Sequence, residues 1–594
     1  MLIGTDTKAL TLTVNAILTV SGDITYQSDG QSFRNFPVTF TGTGTIGANN
    51  LNIIANTTLA GDPYTQTVTS SVSNLNLSGN VSLTSTKPAS DTFNSSFTFN
   101  GGTLTVGNIN TSNAAGSTSI ISIAPTSTLN LTGTNTFGGL SASGTNTLTV
   151  GSIPTINYTG NNNQTIYTSA AIANSLLTGG ISYTNISFSG TTGIKTALGS
   201  NLNVSGSFTN SLTSNTTDTY LDLSAPTVNF NGAAQTLIGG GGGGTTFYNV
   251  TFSGSGTKTL STGAFSVAST GVLTMGSGTT LATGGLLTLN SDASGAAGVA
   301  VIPSGVTITG NVNVQRFVTG GTGKRGYRLL SSPVYSGTAN SNNVYSINYI
   351  ANSSFITGTT PTTGGIDQAG NPTLYLFREN LTPSQTSFTS GNFRGVGDMF
   401  TGGITNIKYT IDVDGGPYNI PVGNGFLFFF RGDRSVATIA NETVTSYVPT
   451  NTTFTAIGPL NTGSITVKDW FTPTSPDLSF TTVATPSPGN GGIRGYNLVG
   501  NPYPATINWE KYNRNSTNSS IYGSNSLPSI IYQFNSTSKQ YATYTQNTSL
   551  LDTTSTVYTG ALNSSDGVVS NMIASGQGFF IVANAATQSL TFHE

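Results

Sequence analysis

The sequence predicts an all-β protein: a parallel β-solenoid (β-helix) followed by β-sandwich-like domains with an internal duplication. Three observations predict it. Val, Ile, Leu and Phe alternate with Thr, Ser and Asn through much of the 594 residues, the period of two that marks half-buried strands. A short motif with Gly-rich corners recurs in the first half. An Arg-Gly-Tyr segment is written twice in the second.

Composition supports a folded chain. Only 7% of residues are charged, against roughly 25% in ordinary soluble proteins. Disorder combines few apolar residues with high net charge, whereas here 36% are hydrophobic and the net charge is −2. There are no cysteines, so disulfides and thiolate metal sites are excluded. The single histidine, His593, argues against a histidine triad or a multi-histidine zinc centre. With no Lys/Arg cluster and almost no net charge, the footprint of nucleic-acid binding is missing. No apolar run reaches the roughly 18 residues of a membrane helix. The start, "MLIGTDTKALTLTVNAILTV", alternates where a secretory leader would be continuously apolar. A leader has been removed, or the chain is a fragment.

Residues 1–315 hold five Lys/Arg, eight Asp and no Glu, His or Trp. The remaining 14 Lys/Arg, 13 carboxylates and both tryptophans follow, which sets a domain boundary near 310–325. In the first half "NISFSGTTGIKT" (Asn185–Thr196) returns as "NVTFSGSGTKT" (Asn249–Thr259), with their phenylalanines 64 residues apart. "VTFTGTGT" (Val38–Thr45) precedes the second by 212. Both spacings approximate multiples of about 21, the range of short-strand solenoid repeats. Such coils cannot bury their inner faces singly. Stacking buries an apolar column and pairs every backbone group with the next coil. Fifteen coils spaced by about 4.8 Å would give a rod of roughly 70 Å, with Phe188 and Phe252 pointing inward. The alternative is a set of antiparallel sandwiches. Gly239–Gly244 reads as a corner, since a strand-like Thr245-Thr246-Phe247 follows where a phosphate loop would continue Gly-Lys-Ser/Thr into a helix.

The second half reads as two β-sandwich-like units, 316–490 and 491–594, separate or interleaved. "RGYRLLSSPV" (Arg325–Val334) and "RGYNLVGNPY" (Arg494–Tyr503) are each followed by a Gly-x-Gly-Phe hairpin, at Gly423–Phe426 and Gly576–Phe579. Duplication predicts matching places for Tyr327 and Tyr496, and for Phe426 and Phe579.

"GYNLVGNPYPATINW" with the later "GQGFFIVANA" resembles a segment of large surface proteins of the Bacteroidetes, exported by the type IX secretion system. There it precedes a C-terminal sorting domain and follows Gly/Thr/Asn-rich β-repeats. The resemblance implies export to the surface of a Gram-negative cell and an adhesin-like or structural role, and it brings no known catalytic site with it. The chain ends at "TFHE", without that sorting domain.

Several residues invite a site. Asp412 and Asp414 in "DVDGGPYNIP" offer two calcium ligands, or a hairpin turn. No other cofactor is expected. Tyr503, Trp509 and Trp470 offer faces for sugar stacking, or plug a sandwich core. Arg431-Gly432-Asp433 spells the integrin tripeptide, a match common by chance. Arg325 and Arg494 are expected to hold backbone carbonyls or an acidic neighbour. Asp398, Glu442, Asp469 and Glu510 show no spacing that pairs them for glycoside hydrolysis. The expected function is therefore a non-enzymatic extracellular protein, an adhesin or a structural subunit of a surface fibre. Its partners would be other surface proteins, polysaccharide, or copies of itself in a homopolymer. A carbohydrate-binding module and a β-helix polysaccharide lyase or hydrolase are the alternatives.

Overall fold

The computed structural model describes the chain except residues 1, 4–8, 28–36, 57–63, 87–92, 135, 138–139, 141–142, 150–154, 169–181, 214–219, 242–243, 359–364, 381–388, 391, 399–405, 410–417, 437, 482–493, 513–520, 547–564 and 567. Two compact units form. The first holds Met1–Val267, Leu273–Leu286 and Pro303–Thr307. The second holds Ala268–Val272, Leu287–Ile302 and Ile308–Glu594.

The first unit is a parallel β-solenoid with three faces. One face stacks Ile24–Gln27, Leu51–Asn56, Val81–Thr86 and Ile109–Asn113. The next stacks Leu10–Thr13, Val38–Thr41, Tyr64–Ser70, Phe93–Phe99, Thr118–Ile123 and Thr145–Thr149. The third and longest runs through eleven strands of this unit, from Ile17–Thr19 to Thr279–Ala282. Alternation does the sorting. In Thr118–Ile123 every second residue is buried, and Ile121 and Ile123 line the interior while Thr118 stays outside.

A coil is longer than the expected 21 residues. Eight steps of the long face separate Thr45 from Gly256, about 26 residues each, and eleven strands at about 4.8 Å spacing span roughly 50 Å. The recurrent motif misleads because it marks a strand–corner–strand step that occurs on more than one face. Asn185–Phe188 lies on the long face and leads to Lys195–Leu198 on the next. Thr245–Phe252 lies on another face and leads to Gly256–Thr262 on the long one.

Polar residues stack as well. Asn50 Nδ2 donates to Asp23 Oδ1 at 2.8 Å, and the side-chain oxygens of Asn50 and Asn80 accept from the backbone N–H of Asn80 and Asn108 at 2.7 and 2.9 Å. At one corner type the chain turns a long polar side chain inward. Gln164 stacks on Lys195 and Gln235 on Lys258. Gln164 donates to Leu131 O and Gly133 O, and Gln235 to Val204 O and Gly206 O. Lys195, fully buried, donates to Gly160 O and Asn162 O. Lys258, equally buried, donates to Gly232 O, Ala233 O and Ser255 O. Each satisfies carbonyls where the chain bends, and burial still lowers the Lys195 ammonium to about 8 and pushes Lys258 down as well.

Phe188 and Phe252 both point inward, although they belong to different faces. They are joined by one file of rings, Tyr158–Phe188–Phe208–Phe230–Phe252, with centroids 5.8, 5.6, 5.5 and 5.4 Å apart.

In the second unit Val312–Val318 pairs parallel with Leu287–Leu289 and antiparallel with Thr452–Gly458. Beyond this the unit is β-sandwich-like, antiparallel and duplicated. Gly326–Leu330 pairs with Phe426–Phe430, and Tyr496–Gly500 with Gly578–Val582. The registers correspond: Leu330 opposes Phe426 as Val499 opposes Phe579, and Tyr327 opposes Phe429 as Tyr496 opposes Val582. Tyr375 and Tyr532 extend the match, packing 6.4 Å from Tyr327 and 5.2 Å from Tyr496. Each copy has its own core, around Phe426 and Phe428 in the first and Phe579 and Ile581 in the second. A third cluster is shared by both: Leu329, Leu427, Leu498 and Phe580 with Tyr375 and Phe377. The copies interleave through their backbones too. Ser331 N donates to Gly576 O as Gly500 N donates to Gly423 O. Gly423 and Gly576 share a left-handed backbone, φ +95° and +63°, which glycine adopts without strain.

Candidate functional site

Most residues with chemistry to offer are engaged in holding the fold. Trp470, Tyr503 and Trp509 are core residues, 4%, 3% and 0% exposed, and present no face to a sugar. Their polar tips are satisfied inside: Trp470 Nε1 donates to Phe377 O and Trp509 Nε1 to Ser529 O, both at 2.7 Å, and the Tyr503 hydroxyl donates to Gly463 O. The apolar body of each ring fills a core, and its one donor finds a carbonyl. Asp412 and Asp414 lie outside the described residues. Among the described residues no three His, Cys, Asp or Glu side chains gather as metal ligands, and no helix is long and apolar enough to cross a membrane.

Arg431 of the Arg-Gly-Asp tripeptide turns back onto the protein. It lies over the Phe429 ring at 4.7 Å and donates to Thr373 Oγ1 at 2.9 Å. Arg325 donates to the carbonyls of Glu442 and Thr443, as expected. Arg494 instead is exposed and lies over Phe480 at 4.5 Å.

Two buried carboxylates clamp the chain around the second Arg-Gly-Tyr motif. Glu379 accepts from Thr481 N at 3.0 Å, Gly495 N at 2.9 Å and the Ser479 hydroxyl at 2.8 Å. Asp469 accepts from Ser479 N at 2.9 Å. Burial pushes the Asp469 carboxyl up to about 7, with the neighbouring Glu379 adding to the rise. Glu442 is also pushed up to about 7 by burial, and neither of its oxygens has a hydrogen-bond partner. Glu510 accepts from the Tyr544 hydroxyl at 2.6 Å. Glu379, Asp469 and Glu510 thus serve the backbone and the core, whereas the Glu442 carboxylate is buried without a bond.

One concave place differs. A groove of about 290 Å³ is lined by Arg316, Lys324 and Arg328 together with Phe534, Ser536 and Gln577. The strand Val312–Val318 supplies Arg316, and the approach to Gly326–Leu330 supplies Lys324. Arg328 is fixed by donating to Tyr327 O at 2.7 Å and Lys324 O at 2.6 Å, with its guanidinium over Phe430 at 5.3 Å. Burial lowers it to about 10, so it stays charged at neutral pH. Arg316 donates to Ser575 O, while its Nε is buried without a partner. Among the described residues no Asp or Glu lines the groove.

The expectation that the chain lacks a Lys/Arg cluster fails here. Four of its 19 Lys and Arg residues, Arg316, Lys324, Arg325 and Arg328, lie within 13 positions. Against a background of 7% charge that density is the signal that finds the groove.

Residues 419–594 match a family model described as a domain of unknown function (DUF8693). The match takes in the Gly-x-Gly-Phe strand of the first copy and the whole second copy. No curated protein and no solved structure matches the chain.

Proposed function

We propose that the chain is a non-enzymatic extracellular protein, an adhesin or a structural subunit of a surface fibre, exported by the type IX route of a Gram-negative bacterium. The β-solenoid is compatible with such a role, and the resemblance around "GYNLVGNPYPATINW" supports export. The observation that supports a non-catalytic reading best is the use of interior ionisable groups. Lys195, Lys258, Arg325, Glu379 and Asp469 all bond backbone atoms of their own fold. A lyase or hydrolase needs a base or a carboxylate pair free to meet substrate.

The test has two arms. Antibody labelling of intact cells of the producing organism should reveal the protein on the surface; labelling only after permeabilisation would overturn export. A panel of polysaccharides should show neither reducing-end release nor unsaturated-uronate absorbance; either signal would make the chain an enzyme.

A further inference from the structure

We infer that the groove formed by Arg316, Lys324, Arg328, Phe534, Ser536 and Gln577 binds an acidic polysaccharide through one anionic sugar residue. The inference deepens the surface-protein reading and rests on it. Three cations line one concavity, with no carboxylate among its described lining residues. An anion entering a partly desolvated cavity lined by cations finds charge-assisted partners there. Arg316 lines the same concavity, with its guanidinium donating to Ser575 O. Lys324 donates to Thr537 Oγ1 at 3.0 Å, an exposed bond that a carboxylate or sulfate can replace.

The remaining wall selects for a sugar over a bare anion. Ser536 offers a hydroxyl, and Phe317 and Phe534 offer apolar faces. Tyr541, 46% exposed, packs edge-on against Phe534 at 5.2 Å and places an accessible ring beside the groove. This is the accessible aromatic that Trp470 and Trp509 do not provide. A cavity near the lower end of ligand-pocket sizes fits a single ring, and a chain of such rings continues into solvent.

The experiment uses the full chain in affinity electrophoresis and titration calorimetry at low ionic strength. The probes are polygalacturonate and alginate as carboxylate sources, and dextran sulfate as a sulfate source. Neutral dextran, polyglutamate and double-stranded DNA are the controls. Retention by at least one acidic polysaccharide, with no retention by dextran and weaker retention by polyglutamate and DNA, is expected; which of the first three binds identifies the anion. Lys324→Glu, at a half-exposed position, should weaken binding at least roughly tenfold with unchanged thermal unfolding. Tyr541→Ala should weaken binding severalfold. Equal retention by polyglutamate or DNA, unchanged affinity in Lys324→Glu, or no retention by any acidic polysaccharide overturns the site. Retention accompanied by uronate release, lost in Lys324→Glu, would keep the site and overturn the non-enzymatic reading instead.

Discussion

Ser331 and Gly500, which hold the same place in the two copies of the duplicated unit, touch each other: a Cβ built on Gly500 would lie 2.2 Å from Ser331 Cβ, far inside van der Waals contact. Contact between a residue and its own counterpart is what an approximate two-fold relation produces at its axis. The surrounding pairs obey the same relation. Leu330 bridges Gln577 as Val499 bridges Asn424. A Cβ on Gly425 would lie 2.7 Å from Val499 O, and one on Gly578 2.9 Å from Leu330 O. Such a place admits one side chain, not two. Gly500→Ala should therefore destabilise the protein by about 1–3 kcal/mol through overpacking. Adding Ser331→Gly should return much of the loss, because the clash then has no partner. Chemical denaturation of the two single variants and the double variant measures the coupling, and additive losses would show that the contact does not constrain the fold.

The raised carboxyls make stability depend on pH in a definite direction. Asp469 sits near 7 in the folded chain and near 3.9 in an unfolded one. The folded state therefore holds its proton more tightly. Its contribution is complete below about pH 4 and is lost as pH rises through about 7, amounting to at most roughly 4 kcal/mol. Glu442 acts in the same direction. Asp469→Asn, which keeps an acceptor for Ser479 N, should flatten the fall in melting temperature between pH 5 and pH 8. A variant whose melting curve tracks the parent at every pH would show that Asp469 is ionised throughout.

Lys195 and Lys258 test how the solenoid corners are held. Replacing Lys258 by Met keeps the apolar stem and removes the donor, leaving carbonyls of Gly232, Ala233 and Ser255 short of a partner. The cost should be about 1–3 kcal/mol. Lys258→Gln should be tolerated much better, since Gln235 does the same work one coil earlier. Thermal unfolding followed by circular dichroism compares them, and equal losses would mean that the stem alone matters.

The features legible in the sequence are those fixed by local pattern. Alternation in stretches such as Thr118–Ile123 gives the strands, and the repeated Arg-Gly-Tyr with its Gly-x-Gly-Phe partner gives the duplication down to register. Coil length was not legible, because corner chemistry is shared between faces: Lys195 and Lys258 close similar corners on different sheets. The site was half legible. Tryptophans are scarce aromatics and so invite a site, yet large rings are worth most to a core, and that is where Trp470 and Trp509 lie. The groove is assembled from Arg316, Lys324 and Arg328, close in the chain, and from Phe534 and Gln577 more than 200 residues on, which no local pattern joins.

The file of rings through the solenoid gives the last prediction. Phe252 is 1% exposed, stacked on Phe230 with rings 16° from parallel and centroids 5.4 Å apart, and its neighbour in the coil above is Met275. Phe252→Asp would bury a carboxylate in this apolar file of rings, at a cost of several kcal/mol. Phe252→Leu keeps the interior apolar and should cost about 1 kcal/mol. The comparison separates loss of a ring from insertion of charge. Because each coil contacts only its neighbours, damage from the aspartate should be local. Hydrogen exchange should rise in Leu221–Phe230 and Val272–Met275, the strands paired with Thr245–Phe252, and stay low in Val81–Thr86 and Ile109–Asn113. Global exchange at the rate of an unfolded chain would show that the solenoid melts as one cooperative body. An unchanged pattern would place Phe252 at the surface and overturn the inward register of its strand.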